Sequence, residues 1–344
     1  MVLFFSGLVV SLLISVVAEK RNNVFLFILS TLLVGFLAAL RGVNVGIDTP
    51  GYYDIFSNLS IPWKISNMEP GFVFVAKQLM SFTFDPRVVV AFYSFFTVLF
   101  VLVRLWLFRK NGSYSFMLFV YVCLYFPLSL NIMRQFFALS IVFLATVFFD
   151  KRRYLPYLLF VALASLFHLS ALFGVVIFAI HFIISQKSVK TKHTLIAASM
   201  LAIPLLFVAV VLVFGKYIDK YLQTATVEFG LMNFVKLGLV ALFVAMNYRL
   251  IKKSNASAEV KYLMIIYTLG VVITSFGYLF SVGARIGLYC MMFEMPFIAF
   301  VTSKKNAIAS SSFFKVAYLL ICVYSFSTEL LNNGNGIFPY YLNF

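Results

Sequence analysis

The sequence predicts an all-α, polytopic integral membrane protein with about 12 transmembrane helices and with its N- and C-termini outside. The 344-residue chain is 63% hydrophobic, only 11% of its residues are charged, and its mean hydropathy is +1.03. Soluble domains are closer to half apolar and about a quarter charged. Apolar runs recur along the chain, and no stretch is polar enough for a soluble domain. We therefore expect a single integral membrane domain over residues 1–344.

The predicted spans are the runs that approach the roughly 20 apolar residues needed to cross a bilayer. They cover residues 1–18, 24–40, 88–108, 114–130, 132–149, 155–167, 169–185, 194–214, 231–250, 261–281, 286–303 and 312–330. In the first span the positive charges follow the apolar run, which is the reverse of a secretory signal. We therefore expect a retained first helix that enters the membrane with its N-terminus outside.

The distribution of basic residues supports this topology. About two thirds of the 27 Lys and Arg residues fall in the connections that the topology places in the cytoplasm, as the positive-inside rule requires. The net charge of +16 thus reflects membrane orientation, and no nucleic-acid partner is expected.

The apolar stretch 155–185 is longer than one ordinary membrane-spanning helix and short for two such helices. Basic clusters flank both ends, and an even number of crossings keeps both clusters inside. We predict a short helical hairpin with its tip at residues 167–170. The alternative is one long tilted helix.

The longest connection, residues 41–87, is predicted to lie outside. It is rich in glycine and proline, which break helices and form turns. Within it, residues 71–84 are apolar apart from Lys77, so we expect an interfacial or re-entrant helix. A long loop in a compact protein is more often functional than idle.

Polar residues with chemical potential gather on the predicted outer face. The first group follows the second span and contains Arg41, Asp48 and Tyr52. It forms either a ligand site or a loop with an internal Arg–Asp pair. The second is Glu69, which precedes a proline-started helix and either caps that helix or serves as an acid or base.

The third group is Arg134 with Gln135, about a turn inside an apolar helix. A charge at that depth is costly and usually faces a polar cavity, although the side chain could instead snorkel to the interface. The planar donor fork of arginine suits phosphate.

The fourth group is His168 with Ser170, at the predicted hairpin tip. A lone histidine is more often a packing residue than a catalyst, but its predicted side and depth match those of Arg134. Further along, Arg285 falls at the outer end of its span, and Glu294 lies within an apolar run. A buried carboxylate needs a partner or a proton, so Glu294 either pairs with Arg285 or tunes another group.

Several catalytic signatures are absent from the sequence, which has no P-loop and no GxGxxG, GxSxG, HExxH or Asp-x-Asp motif. Cys123, Cys290 and Cys322 lie in apolar runs without CxxC spacing and are expected to be packing residues. We therefore expect neither a metal nor another cofactor.

Motifs at these positions resemble the EpsG family, which belongs with the Wzy-like polymerases of bacterial surface polysaccharide. In chain order the motifs are Arg41-Gly-x-x-Val-Gly-x-Asp48-Thr49-x-x-Tyr52, Glu69-Pro70-Gly71-Phe72, Arg134-Gln135, Phe167-His168-x-Ser170-Ala171, Arg285-x-Gly287-x-Tyr289 and Pro339-Tyr340. Each motif is short, and their order and spacing across nearly the whole chain make the resemblance specific.

The resemblance implies a glycosyltransferase of GT-C-like architecture in the bacterial plasma (inner) membrane. Such enzymes join oligosaccharide repeat units carried on undecaprenyl diphosphate, after these have been flipped to the outer leaflet, and release undecaprenyl diphosphate. The implied partners are this lipid-linked oligosaccharide, membrane lipid, and flippase and chain-length regulator proteins.

The chemistry of that reaction suits the polar groups on the predicted outer face. A diphosphate leaving group needs cationic donors in a low-dielectric site, and an attacking sugar hydroxyl needs a proton acceptor. The candidate diphosphate- and substrate-binding residues are Arg41, Arg134, Gln135, Arg285 and Tyr52. The candidate proton acceptors are His168, Glu69 and Asp48.

Two other functions compete with polymerisation: a flippase or exporter of lipid-linked glycan, and a membrane O-acyltransferase. A transporter should spread charge along a path through the membrane and often contains internal repeats. Here the polar residues are one-sided and no repeat is visible, which favours an enzyme. A membrane histidine suits an acyltransferase, but the motifs around Arg41 and Arg134 do not.

Overall fold

The structure, a computed structural model, describes residues 1–186, 231–253, 257–276, 281–303 and 311–342. The described residues are mainly helical and form no β-strand, which confirms the predicted all-α class. The only isolated backbone bridge in these ranges joins Arg41 to Leu342. The predicted span 194–214 lies outside the described residues.

The chain divides into two compact units. The first comprises Met1–Leu172, Ile298–Ala307 and Ser311–Phe344, and the second comprises Phe173–Phe297 and Ile308–Ser310. A compact unit is not necessarily a separate domain, so the expectation of one integral membrane domain stays a prediction.

The first unit begins with two helices that run in opposite directions, α1 (Val2–Arg21) and α2 (Val24–Ala39). The turn between them contains Asn22 in the left-handed conformation, with φ of 48°, which asparagine tolerates better than most residues. The Asn23 side chain then accepts a hydrogen bond from the Leu26 amide at 3.1 Å and caps α2.

The long connection that follows contains three helices, α3 (Thr49–Ser57), α4 (Pro62–Ile65) and α5 (Pro70–Thr83), and leads into α6 (Pro86–Phe108). Each of these helices has a proline in its first turn, where the missing N–H leaves no hydrogen bond unmade. The helix predicted over residues 71–84 is confirmed by α5, and its interfacial location stays a prediction.

The next apolar stretch contains α7 (Tyr114–Val120), a π-helical turn at Tyr121–Tyr125, α8 (Phe126–Asn131) and α9 (Met133–Ala145). Pro127 has no N–H to donate to the carbonyl four residues earlier, and its ring crowds that carbonyl. The π-helical turn includes this carbonyl, so the irregular turn lies where the α-helical hydrogen bond cannot form. Ile132, with φ of −89° and ψ of 61°, separates α8 from α9. We call residues 131–134 the junction segment.

Residues 155–185 form two helices, α10 (Tyr154–Ser165) and α11 (Gly174–Ile184), with a short 3-10 helix at Leu169–Phe173 between them. The alternative of one continuous helix is therefore wrong, and the break falls at the predicted tip. We call residues 166–170 the histidine loop.

The described part of the second unit contains the helices Leu231–Lys253, Ser257–Phe276 and Ser281–Met291. A further helix, Glu294–Thr302, begins in this unit, and the C-terminal helix Ser311–Asn332 belongs to the first.

Within the described residues, five helical segments are long and apolar enough to cross a membrane: Val2–Arg21, Pro86–Phe108, Tyr114–Asn131, Arg285–Thr302 and Ser311–Asn332. Each coincides with a predicted span. Shorter apolar helices occupy several of the other predicted spans. The count of about 12 crossings, the outside termini and the GT-C-like architecture stay predictions.

Candidate functional site

The candidate site in the first unit is organised by the junction segment. The segment lies where α8 ends and α9 begins, and it includes Asn131, Met133 and Arg134. Each of these three side chains contacts a different part of the chain that the sequence motifs had singled out. The helix break at Ile132 therefore brings together groups that are far apart in sequence.

Arg134 forms an ion pair with Glu69, with 2.8 Å between Nη1 and Oε2. Both side chains are 19% exposed, so the pair is largely shielded from water. The guanidinium also lies over the ring of Phe72, 5.8 Å from its centroid. Arg134 thus points towards the start of α5, and both the polar cavity and the alternative of snorkelling to the interface stay predictions.

Glu69 does not act as the helix cap that its position suggested. It precedes α5, but its side chain makes no capping hydrogen bond. Its second oxygen, Oε1, instead accepts a hydrogen bond from the Leu169 amide at 3.2 Å. One carboxylate therefore joins the start of α5 to the junction segment and to the histidine loop.

The histidine loop packs directly against the start of α5. The Gly71 amide donates to the Leu166 carbonyl at 2.9 Å. A Cβ added at Gly71 would lie 2.8 Å from the Leu166 Cβ and 2.9 Å from its carbonyl oxygen. Only glycine permits this approach without displacement, which gives the Glu69-Pro70-Gly71 motif a structural reason.

His168 is half-buried and bonded to its own loop. Its Nδ1 lies 2.6 Å from the Ser170 Oγ and 3.3 Å from the Ser170 amide nitrogen. A backbone N–H can only donate, so Nδ1 is the acceptor and the neutral ring carries its proton on Nε2.

Arg41 is buried, with only 1% of the residue exposed. Its Nη1 donates to the Ala38 carbonyl at 2.8 Å and to the Ser94 hydroxyl of α6, and its Nη2 lies 3.8 Å from the Met133 sulfur. Burial lowers the pKa of Arg41 to about 10, so the guanidinium stays charged at neutral pH.

No carboxylate of the described residues pairs with Arg41, so the alternative of an internal Arg–Asp pair in its loop is wrong. A buried charge without a counter-ion is costly. The position is therefore one that an anionic ligand would stabilise.

The C-terminal tail holds the Arg41 loop in place. Backbone hydrogen bonds run from Gly42 to the Tyr341 carbonyl at 2.9 Å and from Gly46 to the Gly336 carbonyl at 2.8 Å. The Tyr340 hydroxyl donates to the Leu37 carbonyl near the end of α2. The Pro339-Tyr340 motif thus belongs to the framework around Arg41, about 300 residues away in sequence.

Asp48 is exposed, and its side chain makes no capping hydrogen bond to α3. Its backbone amide donates to the Asn131 side chain at 3.0 Å, which fixes this residue beside the junction segment. Gly46, with φ of 94°, shapes the turn before it, and a Cβ there would lie 2.7 Å from the Leu130 carbonyl oxygen.

Tyr52 and Gln135 are buried, at 9% and 3% exposed. Tyr52 belongs to an aromatic cluster with Phe56 and Phe72, whose ring centroids lie 6.0 Å from that of Tyr52. Both residues lie in the core, and their roles in substrate binding stay predictions.

Arg285 and Glu294 lie in the second unit. Arg285 is exposed on its helix, and its place in the site stays a prediction. Glu294 is fully buried. Its carboxylate pairs with Lys236 at 2.8 Å and accepts a hydrogen bond from the Tyr267 hydroxyl at 3.1 Å, so Lys236 is a partner of this buried carboxylate. A contact between Glu294 and Arg285 stays a prediction.

Two residues that bond to these charged groups were not predicted from the sequence: Ser94, which bonds to Arg41, and Lys236, which pairs with Glu294. Ser94 is one of many serines and gives no signal. Lys236 did carry one, because a lone lysine in an apolar helix needs a partner just as Glu294 does. The described residues contain no group of three or more His, Cys, Asp or Glu side chains that could hold a metal ion.

An all-helical chain with apolar helices of membrane-crossing length and a largely buried polar site defines an α-helical membrane protein. The EpsG family model matches residues 24–342, and the chain belongs to the EpsG family. This membership points in general to a Wzy-like polysaccharide polymerase with glycosyltransferase-like activity. Comparison with curated proteins and with solved structures finds no match.

Proposed function

We propose that this protein polymerises undecaprenyl-diphosphate-linked oligosaccharide repeat units into a surface polysaccharide, such as an exopolysaccharide, capsule or O-antigen. The reaction takes place on the outer face of the bacterial plasma membrane. Flippase proteins that supply the units and proteins that regulate chain length are its proposed partners. Family membership supports the reaction class, and the geometry around the junction segment supports the assignment of roles.

The observation that carries the proposal is that two arginines, Arg41 and Arg134, lie at the junction segment. Arg41 contacts Met133, and Arg134 is the next residue in the chain. Of these two arginines, Arg134 pairs with Glu69, whereas Arg41 pairs with no carboxylate of the described residues. Guanidinium groups in a shielded site are the donors that a diphosphate needs.

In the proposed step, a hydroxyl oxygen of the acceptor sugar attacks the anomeric carbon of the donor unit. The new C–O bond forms as the bond from that carbon to the diphosphate oxygen breaks. The electron pair leaves with undecaprenyl diphosphate, whose added charge Arg41 and Arg134 stabilise. The hydroxyl proton passes to a carboxylate.

We assign that proton to Asp48 because its carboxylate is exposed and makes no capping hydrogen bond. Both oxygens of Glu69 already accept hydrogen bonds, from Arg134 and Leu169. Glu69 is therefore assigned to holding Arg134 in position. His168 lies in the loop that Glu69 bonds through the Leu169 amide, and it is assigned to contact the substrate beside that loop.

The test supplies the purified full chain in liposomes with lipid-linked repeat units and follows glycan length on a gel. Wild type should give a ladder, and Arg134→Ala should lose it while eluting as the same folded species. Arg87→Ala is the matched control, because Arg87 is an exposed arginine of the same long connection, paired with Asp85. Transport of the lipid-linked unit without elongation would favour the flippase and defeat the proposal.

A second comparison separates the two carboxylates. Asp48→Asn should lower kcat by a factor of about 100 or more with little change in KM, as expected for loss of a general base. Glu69→Gln should raise KM, because Arg134 loses the group that orients it. Equal effects of the two variants on kcat and KM would overturn this division of roles.

A further inference from the structure

A polar cleft lies at the end of the first unit opposite to Arg41. Helix α1 begins beside the Arg41 loop, since the Met1 amino group donates to the Tyr340 carbonyl at 3.0 Å. The helix extends over 20 residues to Arg21, a rise of about 30 Å. The cleft lies at that far end, which the sequence predicts to be cytoplasmic.

The cleft has a volume of about 560 Å³ and lies between the end of α1 and the turn from α6 to α7. A neighbouring cleft of about 300 Å³ shares Glu19, Arg109 and Ser113 with it and extends toward the C-terminal helix. Cavities of this size accommodate small organic ligands.

Basic side chains dominate the charge of the two clefts. Their walls contain Lys20, Arg109, Lys110 and Lys315, and among the lining residues that the structure describes the only carboxylate is Glu19. No ion pair of the described residues includes any of these four cations. The clefts therefore hold an excess of positive charge.

Glu19 is already satisfied by the start of α7. Its Oε2 accepts hydrogen bonds from the Ser115 amide at 2.8 Å, the Ser115 hydroxyl at 2.7 Å and the Ser113 hydroxyl at 2.9 Å. These donors, together with the positive end of the helix, satisfy the carboxylate, and it forms no ion pair with the lysines of the clefts.

Arg109 is held rigidly in the wall. Its Nε donates to the Asn22 side chain and its Nη1 to the Trp106 carbonyl, both at 2.9 Å, and the guanidinium lies 4.2 Å from the Trp106 ring centroid. The described residues offer no acceptor to Nη2, so a fixed donor remains for a ligand.

We propose that this cleft binds a phosphate-bearing anion, either the headgroup of an anionic phospholipid or a free phosphate compound. Lysine, arginine and serine hydroxyl groups are donors that phosphate oxygens accept from readily. Basic pockets between helices on the cytoplasmic side take anionic headgroups in the same way. This site is separate from the glycosyl-transfer site and does not rest on that assignment.

The test measures binding of dioctanoyl phosphatidylglycerol, dioctanoyl phosphatidylcholine and glycerol 3-phosphate to the purified full chain in uncharged detergent. The cleft variant is Lys20→Gln with Lys110→Gln, both exposed side chains. The control is Lys151→Gln with Arg153→Gln, which removes the same charge from exposed residues that do not line the cleft. Thermal unfolding confirms that both variants fold.

Wild type should bind phosphatidylglycerol more tightly than phosphatidylcholine. The cleft variant should bind it about 25-fold more weakly, at roughly fivefold for each of the two cations removed, and the control variant should match wild type. If glycerol 3-phosphate binds as tightly as the lipid and is lost in the same variant, the ligand is a soluble phosphate. Equal binding of the two lipids by wild type, or equal losses in both double variants, would overturn the proposal.

Discussion

The Glu69–Arg134 pair joins the start of α5 to the junction segment, and Glu69 also bonds to the histidine loop, so we expect it to stabilise all three segments together. The two groups are 2.8 Å apart, and each side chain is 19% exposed. Exposed ion pairs contribute about 0.2–1 kcal/mol, whereas removing one member of a fully buried pair costs about 3–5 kcal/mol. Because about four fifths of each side chain is buried, we expect a coupling free energy between these limits, of about 1–2 kcal/mol.

A double-mutant cycle measures this coupling. Glu69→Gln, Arg134→Gln and the combined variant would be unfolded reversibly by titration with sodium dodecyl sulfate, and the free energies of unfolding compared with wild type. The Asp85–Arg87 pair is the internal control, since its atoms are also 2.8 Å apart but its side chains are 31% and 48% exposed. Its coupling should fall within the range of exposed pairs, at most about 1 kcal/mol. Additive losses at Glu69 and Arg134, within about 0.5 kcal/mol, would refute the reasoning.

Three further predictions use other contacts. Gly71→Val should lower the free energy of unfolding by about 1–3 kcal/mol, because its Cβ would overlap the histidine loop; Gly51→Ala, with open space around it, should not lower it. Lys236→Met should cost about 3–5 kcal/mol by removing the cation that balances the buried carboxylate, and adding Glu294→Gln should recover part of that loss in the same titration. Arg41→Lys should abolish glycan elongation with the fold retained, since one ammonium cannot reproduce the two-nitrogen contacts, and normal elongation would argue against a diphosphate role.

The helical framework could be predicted from the sequence because it depends on local properties. Apolar runs of sufficient length form helices whose own hydrogen bonds satisfy the backbone. Basic clusters and prolines mark where such runs begin and end. The boundaries of α1, α2 and α6 accordingly agree with the predicted spans to within a few residues.

Local sequence was a poorer guide to the partners of individual charges. Glu69 precedes a proline at a helix start, which suggested a cap, yet its carboxylate bonds to Arg134 and Leu169. For Glu294 the sequence left open a pairing with Arg285 or an effect on another group, and the structure pairs it with Lys236, which is 58 residues away. A charged side chain pairs with a group that the packing of distant helices brings within about 3 Å, and the neighbouring sequence does not indicate which group that is.

The sequence by itself determined that this chain forms apolar helices, that it belongs with the EpsG family, and which polar residues stand out against an apolar background. Only the tertiary structure decided that Asn131, Met133 and Arg134 join Asp48, Arg41 and Glu69 at one helix break. The physical reason is that burial and helix formation follow from the local pattern of side chains. The convergence of the site depends instead on contacts between segments up to about 300 residues apart, as between Tyr340 and Leu37.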